Sequence, residues 1–383
     1  MINPALPEDK SSYLRKGGVK ILMACGGTGG HIFPAISVAE EIRQRRLDAE
    51  ILYVCGKKDI ESAIFKGVIH ERWIPVDGAP FKKSLSLFNP LFLIKLLQGL
   101  TQARKILKRE RPDLVVGFGG YFSFPVVWMA RALGMKTLIH EQNVMPGVAN
   151  KFLARFVDGV ALSFDETRLY LPKTRNMRRT GNPIRSSIEK DCREEALGFF
   201  GFSKDCSTLL VLGGSQGAES INTLFLGSLG FLQETARNQW QVLHLCGKMP
   251  ADFVERRYLK AGISGKAYSF FERMDLAYGV TDLALGRAGA TFLAEVDAKK
   301  IPTILIPYPY GSGHQRANAK IFSQSGRAVV AEQSRLTPRT LADLLIRCMG
   351  NVKDGGARER APLLPSNSRK LLTDFILEMV SAK

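Results

Sequence analysis

The stretch VKILMACGGTGGHIFPA, residues 19–35, runs from an apolar strand-like segment through a glycine turn into a helix-like segment. TLLVLGGSQGAES, residues 208–220, repeats that plan in the second half of the chain. A strand ending in glycines can turn sharply, and the helix after it offers unpaired N–H groups and a positive dipole end, where phosphate usually sits. The duplication predicts two α/β halves facing a shared ligand. Neither loop is a dinucleotide fingerprint. The spacing G-x-G-x-x-G is absent from both, no G-x-x-x-x-G-K-[ST] loop occurs, and the strand Ile51 to Cys55 ends in Gly56-Lys57-Lys58 and not in an acidic residue.

Alternation continues outward from the two loops. Apolar runs at Val19 to Cys25, Ile51 to Cys55, Leu114 to Gly117, Thr137 to His140 and Gly159 to Leu162 are separated by helical segments. A second series follows at Thr208 to Leu212, Gln241 to Leu245, Ala267 to Phe270, Leu283 to Leu285 and Pro302 to Ile306. This order predicts an α/β protein with two parallel sheets, each carrying helices on both faces. The seam is expected near Gly181-Asn182-Pro183-Ile184-Arg185, after the basic stretch Lys173 to Arg179. The expected division is a polar arm at 1–18, a first domain at 19–184, a second at 185–365, and a last helix at 366–383 that packs back on the first domain.

A chain of 383 residues with 45% hydrophobic side chains can build both cores. Its 54 Lys and Arg against 36 Asp and Glu favour anionic partners: nucleotides, phospholipid surfaces or nucleic acid. Cys25, Cys55, Cys192, Cys206, Cys246 and Cys348 show no metal-ligand spacing and read as buried, reduced thiols. No D-x-D occurs, so no carboxylate pair for a metal-dependent nucleotide-sugar site is evident. The arm lacks an apolar signal region, which favours the cytoplasm. The run LSLFNPLFLIKLLQGL, residues 85–100, is too broken to span a bilayer, and Arg104, Lys105, Lys108, Arg109 and Arg111 follow it. It suits either an anionic membrane face or a core helix with a solvated basic end.

Several strand ends carry polar candidates. His31 at a helix N-terminus would be kept neutral by the dipole and could act as a general base, or could simply satisfy a loop carbonyl. Gly117 to Pro125 forms another glycine turn in the same half, either a second phosphate cradle or close strand–helix packing. The polar quartet His140-Glu141-Gln142-Asn143 at a strand's carboxyl end is site-like, with Gln142 and Asn143 suited to sugar hydroxyls or an amide substituent, or else it serves loop and cap chemistry. Glu295, inside the helix after Gly286-Arg287-Ala288-Gly289, could grip a ribose diol or stand as an ordinary helical glutamate. Tyr308, Tyr310, His314, Gln315 and Asn318 add polar groups at the same sheet edge.

GGTGGHIFPA, GFGGYFSFP, HEQN with the following PG and NK, GNPIR, GGSQGA, GRAGATFLAE and HQRANA, in this order, resemble the MurG family of bacterial peptidoglycan glycosyltransferases. The resemblance covers nearly the whole chain from Val19. It implies a GT-B fold of family 28, two Rossmann-like domains facing a cleft. It implies inverting transfer of N-acetylglucosamine from UDP-N-acetylglucosamine to the 4-hydroxyl of undecaprenyl-pyrophosphoryl-MurNAc-pentapeptide (lipid I), giving lipid II. Carried over by motif, His31 is the candidate base. Thr28, Gly29, Gly30, Asn143, Arg185, Ser215, Phe271, Ala290, Thr291, Phe292, Leu293, Ala294, Glu295 and Gln315 are implied in donor binding. Gly119, Gly120 and Tyr121 would cradle the acceptor diphosphate.

The resemblance further implies a peripheral enzyme on the cytoplasmic face of the cell membrane. Its partners would be an anionic lipid surface and other cell-wall synthesis and division proteins, without nucleic acid. It implies no cofactor or metal at a defined site, with Mg2+ at most screening the diphosphate in solution. Ala288 departs from the serine frequent in the family, and His314 precedes Gln315 where glutamine pairs also occur. Three rivals stay in view: another GT-B enzyme making a glycolipid, an NADP-linked oxidoreductase using Lys57 and Lys58, and a catalytically silent membrane scaffold.

Overall fold

The computed structural model describes residues 18–45, 47–56, 72–77, 90–173, 176–214, 217–232, 239–310, 313–353 and 361–381. The arm before Gly18, Lys57, Lys58, residues 85–89, Ser215 and Gln216 lie outside the described residues. Two compact units divide the chain. One comprises residues up to Gln142, Pro146–Pro183 and those from Asn367; the other comprises Asn143–Met145 and Ile184–Ser366.

The first unit contains β1 (Val19–Ala24), α1 (Gly29–Gln44), β2 (Ala49–Cys55), β3 (Arg72–Pro75), α2 (Pro90–Glu110), β4 (Leu114–Gly117), α3 (Ser123–Ala132), β5 (Lys136–Glu141), α4 (Val148–Leu153), β6 (Gly159–Leu162) and β7 (Met177–Arg179). All pairings are parallel, in the order β3-β2-β1-β4-β5-β6-β7. A parallel sheet is covered on both faces, so its central strands are apolar throughout. Alternate residues then divide between two cores. Ile21 and Met23 pack with Ile32 and Ile36 of α1, whereas Leu22 and Ala24 pack with Ala103 and Leu107 of α2 and Val126 of α3.

The second unit contains α5 (Ser186–Glu189), α6 (Arg193–Phe200), β8 (Ser207–Leu212), α7 (Glu219–Ser228), β9 (Trp240–Leu245), α8 (Ala251–Ala261), β10 (Ser264–Tyr268), α9 (Met274–Val280), β11 (Leu283–Gly286), α10 (Ala290–Ala298), β12 (Thr303–Leu305), α11 (His314–Gln324), β13 (Ala328–Val330) and α12 (Pro338–Lys353). Its parallel order is β10-β9-β8-β11-β12-β13. Both sheets share one plan: the first strand sits centrally, the next two go to one side, and the fourth returns to its other side. That reversal is the switch point of a doubly wound sheet, beyond which ligands bind. Ala24 pairs with Gly117 and Leu212 with Gly286, so each unit brings two glycine turns side by side at its switch point.

Several details differ from the sequence reading. Edge strands β3, β7 and β13 are absent from the expected runs, and β10 begins earlier than the expected Ala267. Edge strands are half solvated and short, so they leave no continuous apolar signal. Met177–Arg179, read as the end of the basic stretch before the seam, is the strand β7. Asn143–Met145, expected within the first domain, groups with the second unit because Asn318 and His314 hold it there. Asn318 Oδ1 accepts from Val144 N at 3.0 Å, and His314 Nδ1 donates to Met145 O at 2.6 Å. All six cysteines are free, but Cys192 and Cys206 are only partly buried, a correction to the reading of six buried thiols.

The C-terminal helix α13 (Ser368–Ser381) belongs to the first unit and packs on α1, burying Leu372, Phe375 and Ile376. Buried charges fasten the two helices. Arg369 Nε donates to Glu41 Oε2 at 3.0 Å, and Arg45 bridges Glu41 Oε1 at 2.8 Å and Asp374 Oδ1 at 2.7 Å. Burial alone would raise the Glu41 carboxyl, but hydrogen bonds from Arg45 and Arg369 outweigh it and hold the group below its usual value. Replacing Arg369 by Met is expected to cost roughly 2–3 kcal/mol in urea unfolding, less than removing a buried charge's sole partner because Arg45 remains. A native carboxyl held low contributes stability above about pH 4.3 that is lost as pH falls through its folded value. Arg369→Met should therefore flatten the acid limb of the stability curve.

Candidate active site

In the first unit the turn after β1 delivers His31 as the third residue of α1. Thr28, at the N-cap, is exposed and makes no side-chain cap bond to the helix backbone. The His31 ring is fixed from one side: Nδ1 lies 3.1 Å from the Gly26 carbonyl and 3.3 Å from Thr28 Oγ1. A carbonyl only accepts, so Nδ1 carries the proton and the basic lone pair resides on Nε2.

The turn after β4 closes around the same ring. A Cβ on Gly119 would stand 2.9 Å from His31 Cδ2 and 3.2 Å from Nε2; one on Gly120 would stand 2.4 Å from the Gly26 carbonyl oxygen. Both glycines also have positive φ, +92° and +78°. Tyr121 lies against Gly27, with Cε1 3.7 Å from where a Cβ would be. The structure thus brings together Gly29, Gly30, His31, Gly119, Gly120 and Tyr121 within one unit.

The quartet after β5 divides its labour. His140 is fully buried; its Nε2–H donates to Gly181 O at 2.9 Å, and its Nδ1 accepts from Gln142 Nε2 at 3.2 Å. Burial drives its pKa down to about 4, so the ring stays neutral. Gln142 Nε2 also donates to Phe118 O at 2.6 Å, and Glu141 Oε2 accepts from Gly147 N and from Asn150 Nδ2. The bonds of His140, Glu141 and Gln142 brace the loop walls, the loop chemistry that is the other reading of this quartet. Gln142 Oε1 is the exception: it is buried without a hydrogen-bond partner among the described residues and lies 3.4 Å from the point a Gly119 Cβ would occupy, beside His31.

Asn143 joins the second unit's site. Its Oδ1 accepts from Asn318 Nδ2 at 3.0 Å, and the same amide reaches Ala288 O at 3.2 Å. Asn318 is fully buried and binds three backbone or side-chain partners, a positioning role that its place in HQRANA does not disclose. Gly213 opens the loop after β8, where a Cβ would meet Ala218 N at 2.1 Å. Gly214 and Gly217 have φ of +91° and +74°, and α7 then starts at Glu219. Ser215, expected to bind the donor diphosphate, lies outside the described residues.

The turn after β11 leads into α10. Leu293 is fully buried and Phe292 and Ala294 nearly so, which makes their side chains core and leaves Thr291 and Glu295 as the polar members of that segment. Glu295 Oε2 accepts from the Tyr278 hydroxyl at 2.7 Å, and Oε1 faces Arg185 Nη2 at 3.6 Å. Burial raises the Glu295 carboxyl, and Arg185 and Tyr278 pull it back in part. Phe271 is half-buried among Tyr268, Phe200 and Phe199, with ring centroids at 4.9, 5.4 and 5.8 Å. Gln315 Oε1 accepts from Tyr308 N at 2.8 Å.

Arg287, which motif reading passed over, is a buried cation. It donates to Ile306 O, Pro307 O, Ser220 Oγ and Gln333 Oε1, tying the end of β12 to the start of α7. Among the described residues no group of three or more His, Cys, Asp or Glu is placed to hold a metal ion.

Comparison with known proteins identifies the family and the fold. The profile of the glycosyltransferase family 28 N-terminal domain matches residues 21–162, and that of the family 28 C-terminal domain matches residues 208–369. A Halothermothrix orenii protein, named UDP-N-acetylglucosamine–N-acetylmuramyl-(pentapeptide) pyrophosphoryl-undecaprenol N-acetylglucosamine transferase, is 39% identical over 85% of this chain and 89% of its own. A Bacillus licheniformis protein of the same name is 35% identical over 87% and 90%. Among solved structures, Acinetobacter baumannii MurG matches with TM-score 0.71 and 26% identity, over 94% of this chain and 99% of that one. A Neisseria meningitidis UDP-GlcNAc 2-epimerase shares the fold at TM-score 0.66 and 12% identity, over 94% and 100%.

The buried His140 gives a pH prediction. Its folded pKa of about 4 lies below the ordinary 6.5, so the unfolded chain binds a proton between these values that the folded chain does not. Stability is complete above about pH 6.5 and falls as pH drops. By pH 5 the loss should reach about 2 kcal/mol in urea unfolding, while the His140 imidazole NMR signal shows no titration between about pH 8 and 5. A His140 signal titrating near its ordinary value would contradict the assignment.

Proposed function

The chain belongs to glycosyltransferase family 28, among the MurG-type N-acetylglucosaminyltransferases, and on that premise we propose how its residues carry the reaction. The enzyme transfers N-acetylglucosamine from UDP-N-acetylglucosamine to the muramyl 4-hydroxyl of lipid I with inversion, producing lipid II. The new bond forms between that oxygen and the sugar's anomeric carbon, the bond from the anomeric carbon to the diphosphate breaks, and UDP departs with the electron pair. The proton lost by the hydroxyl goes to His31 Nε2.

The observation that supports the base role is the hydrogen bond from His31 Nδ1 to the Gly26 carbonyl, which assigns the accepting lone pair to Nε2. The N–H groups of the Gly119–Gly120 turn would hold the acceptor's diphosphate beside that ring. In the second unit the glycine loop and the N-terminus of α7, with Ser215 and Arg185, would meet the charge growing on the leaving diphosphate. Asn143 and Gln315 would contact the transferred sugar, Thr28 and the following glycines would line its path, and Phe271 would offer backbone groups to uracil. The backbone of Ala290–Ala294 would wrap the nucleoside, with Glu295 on the ribose diol. No cofactor is assigned, and Mg2+ would act only by screening the diphosphate in solution.

We also propose that α2 and α4 dock the enzyme on an anionic membrane. Leu93, Ile94 and Leu97 of α2 are exposed, as are Phe152 of α4 and the nearby Phe156. Arg104, Lys105, Lys108 and Arg109 are exposed further along α2. No described helix is long and apolar enough to cross a membrane. Apolar side chains beside a basic cluster suit a helix lying at the lipid headgroups.

Two experiments test these assignments. His31→Ala should lower kcat by roughly 10²–10⁴-fold while UDP affinity stays within about threefold. Turnover near wild type would remove His31 as the base. Ile94→Asp and Leu97→Asp should each weaken co-sedimentation with phosphatidylglycerol vesicles by about tenfold, and unchanged binding would remove α2 from the membrane face.

A further inference from the structure

Glu295 is 5% exposed, and the two oxygens of its carboxylate have neighbours of different kinds. Oε1 faces the Arg185 guanidinium at 3.6 Å, a charge that is itself expected to serve the donor diphosphate. Oε2 accepts a 2.7 Å hydrogen bond from Tyr278, whose ring is 2% exposed in α9. A carboxylate that is to grip a vicinal diol needs charge and aim together. Burial works against the charge by raising the carboxyl's pKa, while Arg185 and the Tyr278 hydrogen bond oppose that rise.

Aim is the harder requirement. Glutamate has three rotatable side-chain bonds, and the Arg185 guanidinium stands 3.6 Å from Oε1, a longer and less directional contact than the 2.7 Å hydrogen bond from Tyr278 to Oε2. The Tyr278 ring is locked by packing. Its hydroxyl has a single proton, which Oε2 accepts, and a carboxylate keeps further lone pairs for other donors.

We propose that Tyr278 is a positioning residue for nucleoside recognition. Donating to Glu295 Oε2, it holds the carboxylate in the rotamer that accepts the ribose diol, so selection of a ribonucleotide depends on a hydroxyl that does not touch the ligand. This inference rests on the reading that Glu295 binds the ribose.

The test compares binding of UDP and of 2′-deoxy-UDP to the full-length wild-type protein, Tyr278→Phe and Glu295→Gln by calorimetry. Tyr278→Phe should weaken UDP roughly tenfold and 2′-deoxy-UDP far less, so the ratio between the two ligands shrinks. With saturating donor its kcat should stay within about twofold, placing the loss in KM. A merely structural role for the hydroxyl would lower the melting temperature and leave the ratio alone. Tyr278→Met, which lacks the hydroxyl and fills the space flexibly, gives the same reading should the Phe variant not fold. If Glu295→Gln loses the preference and both Tyr278 variants keep it, the inference is overturned and the ribose reading stands. If Glu295→Gln keeps the preference, the ribose reading fails and the inference falls with it.

Discussion

At the carboxyl ends of β1 and β4 two backbones approach so closely that a side chain on Gly120 would stand 2.4 Å from the Gly26 carbonyl oxygen. That contact governs the first unit's chemistry. The Gly26 carbonyl is also the acceptor for His31 Nδ1, so one backbone oxygen both limits the facing turn to glycine and sets the ring's tautomer. The sheet order makes the approach unavoidable: strands with neighbouring ends at the switch point send their helices to opposite faces, and the turns must share the space between.

The second unit solves the same geometric problem for a different chemistry. Its neighbouring turns follow β8 and β11, with Leu212 paired to Gly286. Here buried polar groups hold the walls. Arg287 ties the end of β12 to α7, Asn318 ties Asn143 to Ala288, and Tyr278 with Arg185 frames Glu295. A buried polar group left unmatched is costly, so each of these side chains is constrained to one arrangement. Rigid walls of this kind suit a reaction whose catalysis depends on donors already aimed at developing charge.

Much of this was legible because glycine and proline report backbone geometry directly. The turns at Gly26, Gly117, Gly213 and Gly286, and the central strands between them, follow from residue type and local spacing. Edge strands β3, β7 and β13 did not, since a half-solvated strand lacks a continuous apolar run. Partnerships between distant positions were also hidden. His140 with Gly181, Asn143 with Asn318, and Tyr278 with Glu295 arise from the way the sheets stack residues far apart in the chain. His140, a member of a site-like polar quartet by sequence, has a ring that is a buried brace.

The most direct measurement incubates the purified protein with lipid I and UDP-N-acetylglucosamine carrying 13C at the anomeric carbon, then records the NMR spectrum of the extracted lipid. The account predicts one N-acetylglucosamine per lipid, β-linked to the muramyl 4-oxygen, with one UDP released for each transfer. Label that stays in the aqueous phase, or that enters the lipid with an α linkage, would contradict it.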